Sequence, residues 1–209
     1  MAVLVKPATS EFEMPRQHMT ETEFVAWCDE DTHAEWIDGE VIVASPASAT
    51  HVRLVKFLLQ VLDGFVRLHH LGEVLGPELQ IRFGALRHRR VPDLFFVATA
   101  RANIIQRNHI EGAPDLIVEI VSPDSLARDW RDKYLEYEAM GVREYWIVDA
   151  MAERVEIYAL DAHNRYARIE ERDDAIHSIV LPGFFLRPDW LWQEPLPHPF
   201  TILRELNAL

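Results

Sequence analysis

The sequence predicts an α/β domain of the α+β type, with a mixed β-sheet flanked by helices. Three observations support this fold class. A wide apolar stripe follows a helical period over residues 51–70, and two β-prone runs, 91–97 and 114–121, are almost wholly apolar. The predicted order is helix, hairpin, helix, three strands, helix and further strands. Such an order is typical of helices and strands packed in layers around one core.

The first predicted elements are a helix and a β-hairpin. Thr20 is a candidate N-cap, and Glu23 stands three residues later, which is the capping-box pattern of a helix start. Asp38 and Gly39 lie between β-prone residues and predict a two-residue hairpin turn. The helix predicted at 51–70 has a stripe wide enough to make it a central packing element.

The middle of the chain predicts strands and one further helix. The expected strands are 73–83, 90–98 and 114–121, with later strands at 143–149, 155–160, 166–170 and 176–181. The fully apolar runs are typical of strands that are buried on both faces. A helix is expected to begin at 122–125 and to continue to Met140, where Gly141 ends it.

Length and composition favour one globular domain. With 209 residues, of which 49% are hydrophobic, the chain can bury a sizeable core. We expect an N-terminal arm at 1–18, a single domain at 19–190 and a C-terminal tail at 191–209. A lone cysteine, Cys28, excludes an internal disulfide and a cysteine-rich zinc site. With no apolar stretch of roughly 20 residues and no signal peptide, a cytoplasmic location without a membrane span is expected.

The charge of the chain limits the kinds of nucleic-acid binding that are open to it. A net charge of −13 argues against a protein that coats nucleic acid without sequence preference, because phosphate binding needs a basic face. It does not exclude a nuclease, in which a metal neutralises part of that charge. One local basic cluster consists of Arg82, Arg87, His88, Arg89 and Arg90, and a solvated hairpin tip is its simplest interpretation.

Two acidic residues inside the apolar runs are the leading candidates for chemistry. A buried carboxylate is costly unless it is paired or binds a metal. Strand alternation lets Asp93 and Glu119 converge on one cation if their strands pair. Asp115 lies four residues before Glu119, roughly 13 Å away along the strand, and is expected to have a separate role at the strand start.

Lys133 is the third candidate, because of its place on the predicted helix. Leu126, Trp130, Tyr137 and Met140 form an inward stripe, and Lys133 falls in the middle of it. A lysine that faces the sheet can activate a water or stabilise charge on a phosphate. The alternative is a lysine that extends to solvent or forms a structural pair with Glu119.

The order Pro92-Asp93, Glu119-Ile120-Val121 and Lys133 resembles the PD-(D/E)xK nuclease superfamily, and in particular the Uma-two family of restriction endonucleases. The resemblance covers roughly residues 20–185. It rests on these matching stretches: 36–40, 45–51, 91–93, 114–123, 132–134 and 141–149. It implies a restriction-endonuclease-like core, preceded by the N-terminal helix and hairpin.

The resemblance also implies a site. Asp93 and Glu119 would bind Mg²⁺ or Mn²⁺, with the Ile120 carbonyl as a third ligand. The superfamily usually has a lysine two residues after the glutamate, where this chain has Val121, and Lys133 would replace it. Two further residues are candidates. Glu40 could join the site or stay on a surface strand, and His51 could position water, bind metal or only make a local hydrogen bond.

The leading functional hypothesis is a Mg²⁺-dependent endonuclease that hydrolyses DNA, with RNA left open as a substrate. The alternative is a catalytically inactive nuclease-like fold that acts as a homodimeric interaction or nucleic-acid-binding protein. Its dimer surface would be aromatic and would consist of Phe184, Phe185, Trp190 and Trp192. A third possibility is a metal-dependent phosphoesterase for RNA or a small substrate. A basic groove leading to Asp93 would favour a polynucleotide, and a closed pocket a small substrate.

Overall fold

The computed structural model describes residues 18–29, 32–121 and 128–209 of the chain. Its α-helices are α1 (Glu21–Trp27), α2 (Ala49–Leu68), α3 (Lys133–Met140) and α4 (Pro199–Glu205). Its strands are β1 (Ala34–Ile37), β2 (Glu40–Val43), β3 (Gly72–Leu75), β4 (Gln80–Phe83), β5 (His88–Arg90), β6 (Leu94–Ala98), β7 (His109–Glu111), β8 (Leu116–Val121), β9 (Glu144–Asp149), β10 (Arg154–Leu160), β11 (Tyr166–Arg168), β12 (Ile176–His177) and β13 (Phe185–Leu186).

Local sequence signals account for the first elements. Thr20 and Glu23 form both hydrogen bonds of the capping box that begins α1. Asp38 and Gly39 both have positive φ angles, 45° and 103°, as a tight hairpin between β1 and β2 requires. Phe24 of α1 packs on this hairpin in a small apolar cluster. The predicted helix and hairpin are therefore confirmed.

The central sheet has six strands in the order β11-β10-β9-β8-β6-β3. Strands β8 and β9 are parallel, and the other neighbours are antiparallel, so the sheet is mixed as expected. Every residue of β8 and of β9 is buried. A second sheet of five strands has the order β2-β1-β5-β4-β7.

Two apolar cores lie on opposite faces of the six-stranded sheet. The first core contains Val118 and Trp146 of the sheet together with residues of α2 and α4, among them Phe65 and Leu203. The second core joins the other face, with Ile117, to Phe83 of the five-stranded sheet and Tyr137 of α3. Because strand side chains alternate, residues 95, 117 and 119 share the face of the second core.

Two predicted strands are wrong in their extent. The segment 73–83 forms β3 and β4, which belong to different sheets, and 90–98 forms β5 and β6, which also belong to different sheets. Each break falls at a proline, Pro77 or Pro92. A proline has no N–H to donate to a ladder, so the strand ends there.

The predicted helix before Gly141 is described only in part. Its predicted start at 122–125 lies outside the described residues, as does the predicted arm at 1–18 except for its last residue. The described part begins with a π-helical turn, Arg128–Asp132, and continues as α3. Gly141 has a φ of 81° and ends the helix, as its sequence position predicts.

The aromatic residues near the C-terminus belong to the interior. Phe184 and Trp190 are buried in the first core, and Phe185 and Trp192 pack against it in part. The prediction that these four residues form an exposed dimer surface is therefore wrong, because they pack on α2 and α4 instead. No helix within residues 18–29, 32–121 and 128–209 is long and apolar enough to cross a membrane.

Candidate active site

Asp93 lies immediately before β6, and its side chain bonds to β8 at the end of the β6–β8 ladder. Its Oδ2 accepts a 2.7 Å hydrogen bond from the backbone N–H of Ile120. The N–H and C=O of one strand residue point to the same edge of the strand. The carbonyl of Ile120 therefore points to the edge at which Asp93 lies, which suits the third-ligand role suggested by the resemblance.

The end of the β6–β8 ladder places Asp93 close to Glu119. Leu94 pairs with Val118 and Phe95 with Ile117. Asp93 precedes Leu94 and bonds through its side chain to the N–H of Ile120, the residue that follows Glu119. The structure thus brings together the two carboxylates that the sequence singled out.

Gly76 fixes the backbone of Asp93 from the neighbouring strand. It follows β3 and has a φ of 116°, a conformation that L side chains rarely adopt. A Cβ at this position would lie 2.5 Å from the backbone oxygen of Asp93. Only glycine allows this close approach, so the position of Asp93 depends on both of its flanking strands.

Glu119 and Lys133 form a buried ion pair. The Lys133 Nζ lies 2.8 Å from Glu119 Oε1, and both residues are less than a tenth exposed. The Tyr137 hydroxyl donates a second 2.8 Å bond to the same oxygen. Burial and the neighbouring charge of Glu119 raise the pKa of Tyr137 well above its ordinary value. Lys133 therefore faces the sheet, as the helical wheel predicts.

Glu35 of β1 is a residue of this site that the sequence reasoning missed. Its Oε1 lies 3.7 Å from Lys133 Nζ and accepts a 3.1 Å bond from the Val91 N–H. Its Oε2 accepts a 2.8 Å bond from Arg90. Burial alone would raise the pKa of Glu35, but the charges of Lys133 and Arg90 outweigh it and hold this pKa below its ordinary value.

The charged network continues from Arg90 to His88. Arg90 donates to both carboxylate oxygens of Glu136, with a shortest distance of 2.6 Å. His88 Nδ1 lies 2.9 Å from Glu136 Oε1. The pKa of Glu136 is lowered, because hydrogen bonds from His88 and Arg90 overcome the opposing effect of burial. Acidic and basic side chains thus alternate in the order Glu119, Lys133, Glu35, Arg90, Glu136 and His88. We call this row of side chains the buried charge chain.

His51 and Glu40 differ in their relation to the site. The His51 Nε2 lies 2.9 Å from Asp93 Oδ1, so the first turn of α2 reaches the metal-ligand candidate. Glu40 begins β2 at the hairpin turn, and its side chain is exposed. Within the described part of the chain, the Glu40 side chain makes no hydrogen bond or ion pair. Its role in the site stays a prediction.

Comparison with known proteins identifies the family of this chain. The model of the Uma2 family, described as "Putative restriction endonuclease", matches residues 22–189. The chain belongs to the Uma2 family. No curated protein matches it. A solved structure of a protein described as "a putative nuclease belonging to DUF820", from Anabaena variabilis ATCC 29413, has a TM-score of 0.69 and 21% identity and covers 83% of this chain and 97% of that chain.

The solved relative confirms the fold of the Uma2 chain. The restriction-endonuclease-like core with a mixed sheet and flanking helices is therefore as predicted. The site lies where β6 and β8 meet the start of α2 and the start of α3. These elements supply Asp93, Glu119, His51 and Lys133, and the second sheet adds Glu35.

The acidic pair suits Mg²⁺ better than a metal that needs several protein ligands. In the described part of the chain, no group of three or more histidine, cysteine, aspartate or glutamate residues could hold a metal ion. Mg²⁺ usually keeps several waters and takes only one or two protein carboxylates. Asp93 and Glu119, with the Ile120 carbonyl on the same edge, fit this requirement.

Glu35 carried only a weak sequence signal. It is one acidic residue in the β-prone segment of the hairpin, where Trp36 is buried and Ile37 is half-buried. Nothing local shows that β1 lies in one sheet while its glutamate reaches a lysine that packs on the other. Arg90 was visible only as part of the basic cluster.

Proposed function

We propose that this Uma2 protein is an endonuclease that hydrolyses DNA phosphodiester bonds with Mg²⁺ or Mn²⁺. The observation that carries the proposal is the acidic pair: Asp93 bonds the Ile120 N–H next to Glu119, and Lys133 lies 2.8 Å from Glu119. Two neighbouring carboxylates and a cation are the groups that metal-assisted phosphodiester hydrolysis uses. The description of the Uma2 family as restriction endonucleases supports the same reaction class, phosphodiester hydrolysis.

Asp93, Glu119 and the Ile120 carbonyl would hold the metal. When bound, Mg²⁺ supplies Lewis-acid stabilisation of charge on the phosphate oxygens. Asp93 is orientated for this role, because the Ile120 N–H fixes one of its oxygens and His51 contacts the other. We assign His51 the role of positioning the Asp93 carboxylate.

Lys133 acts on the attacking water or on a phosphate oxygen. An ammonium group has three N–H donors, so Lys133 can hold Glu119 and also donate to a second acceptor. Glu35 and Glu119 contact it on the protein side and fix its position. Lys133 comes from α3 and not from β8. It takes the place of the lysine that the superfamily usually has where this chain has Val121.

The substrate, the oligomeric state and the location complete the functional hypothesis. DNA is the proposed substrate, and RNA is an outcome of the test. A homodimer stays a prediction whose expected aromatic surface is buried, and a cytoplasmic location also stays a prediction.

The decisive experiment compares metal binding and cleavage in matched variants. Asp93→Asn and Glu119→Gln remove a charge with little change of shape, and the surface substitution Asp63→Asn serves as control. We expect titration calorimetry with Mg²⁺ and Mn²⁺ to show binding to wild type and to the control only. Supercoiled plasmid and a structured RNA, incubated with each metal, should show nicking of the plasmid by the same two proteins.

The outcomes separate the hypotheses. Cleavage retained by Asp93→Asn or Glu119→Gln, with the protein folded, would overturn the assignment of the site. A folded wild type that neither binds metal nor cleaves would favour the inactive nuclease-like fold. Glu119 and Lys133 would then be a structural pair.

A further inference from the structure

Helix α3 is buried mainly through charged side chains. Its buried residues are Lys133, Glu136, Tyr137 and Glu138, and three of these four are charged. A helix at the surface of a globular domain is usually held by a stripe of apolar residues. The position of α3, and with it the position of Lys133, therefore depends strongly on the groups that its charged residues contact.

Arg90 of β5 holds α3 from the five-stranded sheet. Its Nε and Nη2 donate to Oε2 of Glu136 at 3.0 and 2.6 Å. Its Nη1 donates a 2.8 Å bond to Glu35 of β1. Arg90 and Glu136 are only 2% and 6% exposed. One guanidinium group thus joins β1, β5 and α3 away from water.

The same face of α3 also carries Lys133. Lys133 and Glu136 are three residues apart, so they are neighbours on one side of the helix. Lys133 lies 2.8 Å from Glu119 of the six-stranded sheet, whereas Glu136 bonds to Arg90 of the five-stranded sheet. Because both residues belong to one helical turn, a shift of α3 that broke the Arg90 contact would also move Lys133.

The burial of Arg90 and Glu136 favours a role in geometry over a role in stability. Removing two charges from water is costly, and well-packed apolar residues of similar volume often give the same stability or more. What an arginine supplies is a planar fork of N–H groups that binds a carboxylate in a defined orientation. A buried pair of this kind is suited to fixing where a helix lies on a sheet.

We infer that Arg90 and Glu136 are positioning residues that set the place of the Lys133 ammonium group at the candidate active site. Arg90 acts by two routes. One runs through Glu136 along α3, and the other runs through Glu35, whose Oε1 lies 3.7 Å from Lys133 Nζ. The inference rests on the proposed function only for its effect on cleavage, since the place of Lys133 can be measured without it.

An apolar replacement of the pair separates positioning from stability. Arg90→Met/Glu136→Leu removes one charge of each sign, so the net charge of the buried charge chain is unchanged. Glu35 keeps its bond from the Val91 N–H, and His88 is half-buried and can bond to water instead of Glu136. We expect the melting temperature to stay within about 5 °C of wild type, because apolar side chains fill the space of the pair.

NMR of lysine ammonium groups reports on Lys133 without any cleavage. The chain has three lysines, Lys6, Lys56 and Lys133, so selective ¹⁵N labelling of lysine gives few signals. The variant Lys133→Met identifies the signal of Lys133 by its loss. In wild type, the charge-assisted bond to Glu119 should slow exchange of the ammonium protons with water and give a resolved signal. In Arg90→Met/Glu136→Leu this signal should shift and broaden.

Arg82→Met/Glu21→Leu is the matched control. Arg82 donates to both carboxylate oxygens of Glu21, and it lies on the opposite face of the same sheet from Arg90. The control removes the same kind of pair and should leave the Lys133 signal unchanged. If Arg90→Met/Glu136→Leu melts at a much lower temperature than the control, Glu136→Gln, which keeps the shape of the side chain, takes its place under the same criteria.

The outcomes distinguish this inference from the proposed function. An unchanged Lys133 signal in the folded variant, or an equal change in the control, overturns the inference even if the protein cleaves DNA. A change confined to the Arg90 and Glu136 variants supports it even if no cleavage is found. If wild type nicks plasmid, the same variants should lower kcat at least about tenfold and leave KM within about twofold. An unchanged kcat beside a changed signal would overturn the part that concerns cleavage.

Discussion

The two ends of the six-stranded sheet each carry a pair of carboxylates, and the two pairs differ in what contacts them. Asp93 and Glu119 lie at the end where α2 and α3 begin. Asp115 and Glu144 lie at the other end, just before or at the start of β8 and β9. Glu119, Asp115 and Glu144 are all buried, whereas Asp93 is partly exposed, so burial alone does not distinguish the two ends.

The far pair is held by guanidinium, indole, hydroxyl and backbone N–H groups. Asp115 accepts bonds from the Ala98 N–H and from Arg101, both at about 3 Å. Glu144 accepts bonds from Trp146, from Ser178 and from the N–H groups of Ile179 and Val180. Burial raises the pKa of Glu144, and its hydrogen bonds from Trp146, Ile179 and Ser178 only partly oppose this.

The near pair has partners that chemistry can use. Asp93 contacts an imidazole, and Glu119 contacts an ammonium group and a phenol. A histidine, a lysine and a tyrosine can give up or accept a proton more readily than the guanidinium, indole and backbone N–H groups that hold the far pair. The comparison teaches that the donors around a buried carboxylate indicate function better than its burial does.

The sharpest test of this comparison uses one residue in β8 and one just before it. Glu119 and Asp115 are both buried acidic residues, so Asp115→Asn and Glu119→Gln are matched substitutions. Glu119→Gln should reduce metal-dependent plasmid nicking by at least about 100-fold. Asp115→Asn should retain nicking but lose about 2 kcal/mol of unfolding free energy in urea, because Arg101 and Arg143 lose their anion. Loss of nicking in a folded Asp115→Asn would remove the distinction between the two ends.

Lys133→Met should cause the next largest change. It leaves Glu119 and Glu35 buried without their shared cation, which should lower the unfolding free energy by about 3 kcal/mol. The control is Lys56→Met, an exposed lysine on α2 that should change stability by less than about 0.5 kcal/mol. In a double-mutant cycle with Glu35→Gln the losses should not add, because the two residues share one network. Additive losses would show that Glu35 does not act on Lys133.

Tyr137→Phe should have a smaller effect at the same end. It removes one hydrogen bond to the Glu119 carboxylate, and we expect a loss of about 1.5 kcal/mol in urea unfolding. Tyr134→Phe on the same helix removes a longer bond to a backbone carbonyl, 3.4 Å, and should cost about 0.5 kcal/mol. An equal cost for both variants would argue that the Glu119 contact is not special.

The smallest expected effect is a difference in the pH dependence of stability. The lowered pKa of Glu35 makes its contribution to stability complete above its ordinary value of 4.5 and lost as the pH falls below it. The raised pKa of Glu144 has the opposite sign, since its protonated form favours the folded state at low pH and this advantage fades as the pH rises through the raised pKa. Urea midpoints should therefore be measured from pH 7 down to about 3. As the pH falls, the deficit of Glu35→Gln relative to wild type should shrink, and the stability of Glu144→Gln relative to wild type should fall. Parallel curves would contradict the assigned signs.

The sequence alone predicted the parts of the site that local pattern controls. Asp93 and Glu119 were visible because each interrupts an apolar run, and Lys133 because it interrupts an apolar helical stripe. The alternation of side chains then allowed both carboxylates to reach one cation, on the condition that their strands pair. These signals are local, so they remain visible without a structure.

The missing parts depend on how distant elements pack. Glu35 belongs to the five-stranded sheet, and its contact with Lys133 exists only when that sheet lies against the second core. The aromatic residues Phe184 and Trp190 read as an exposed patch, because their burial depends on α2 and α4. Pro92, counted as part of a strand, separates β5 and β6 into different sheets.

The buried charge chain has a consequence for how the protein folds. Its members come from β1, β5 and α3, and Lys133 is far from Glu35 in the chain, so the ion pairs close only after many loops have closed. A partly folded chain in which only β6 and β8 have paired would lack Lys133 and Glu35 at the candidate site. Under the proposed function, such a chain would carry the acidic residues without nuclease activity.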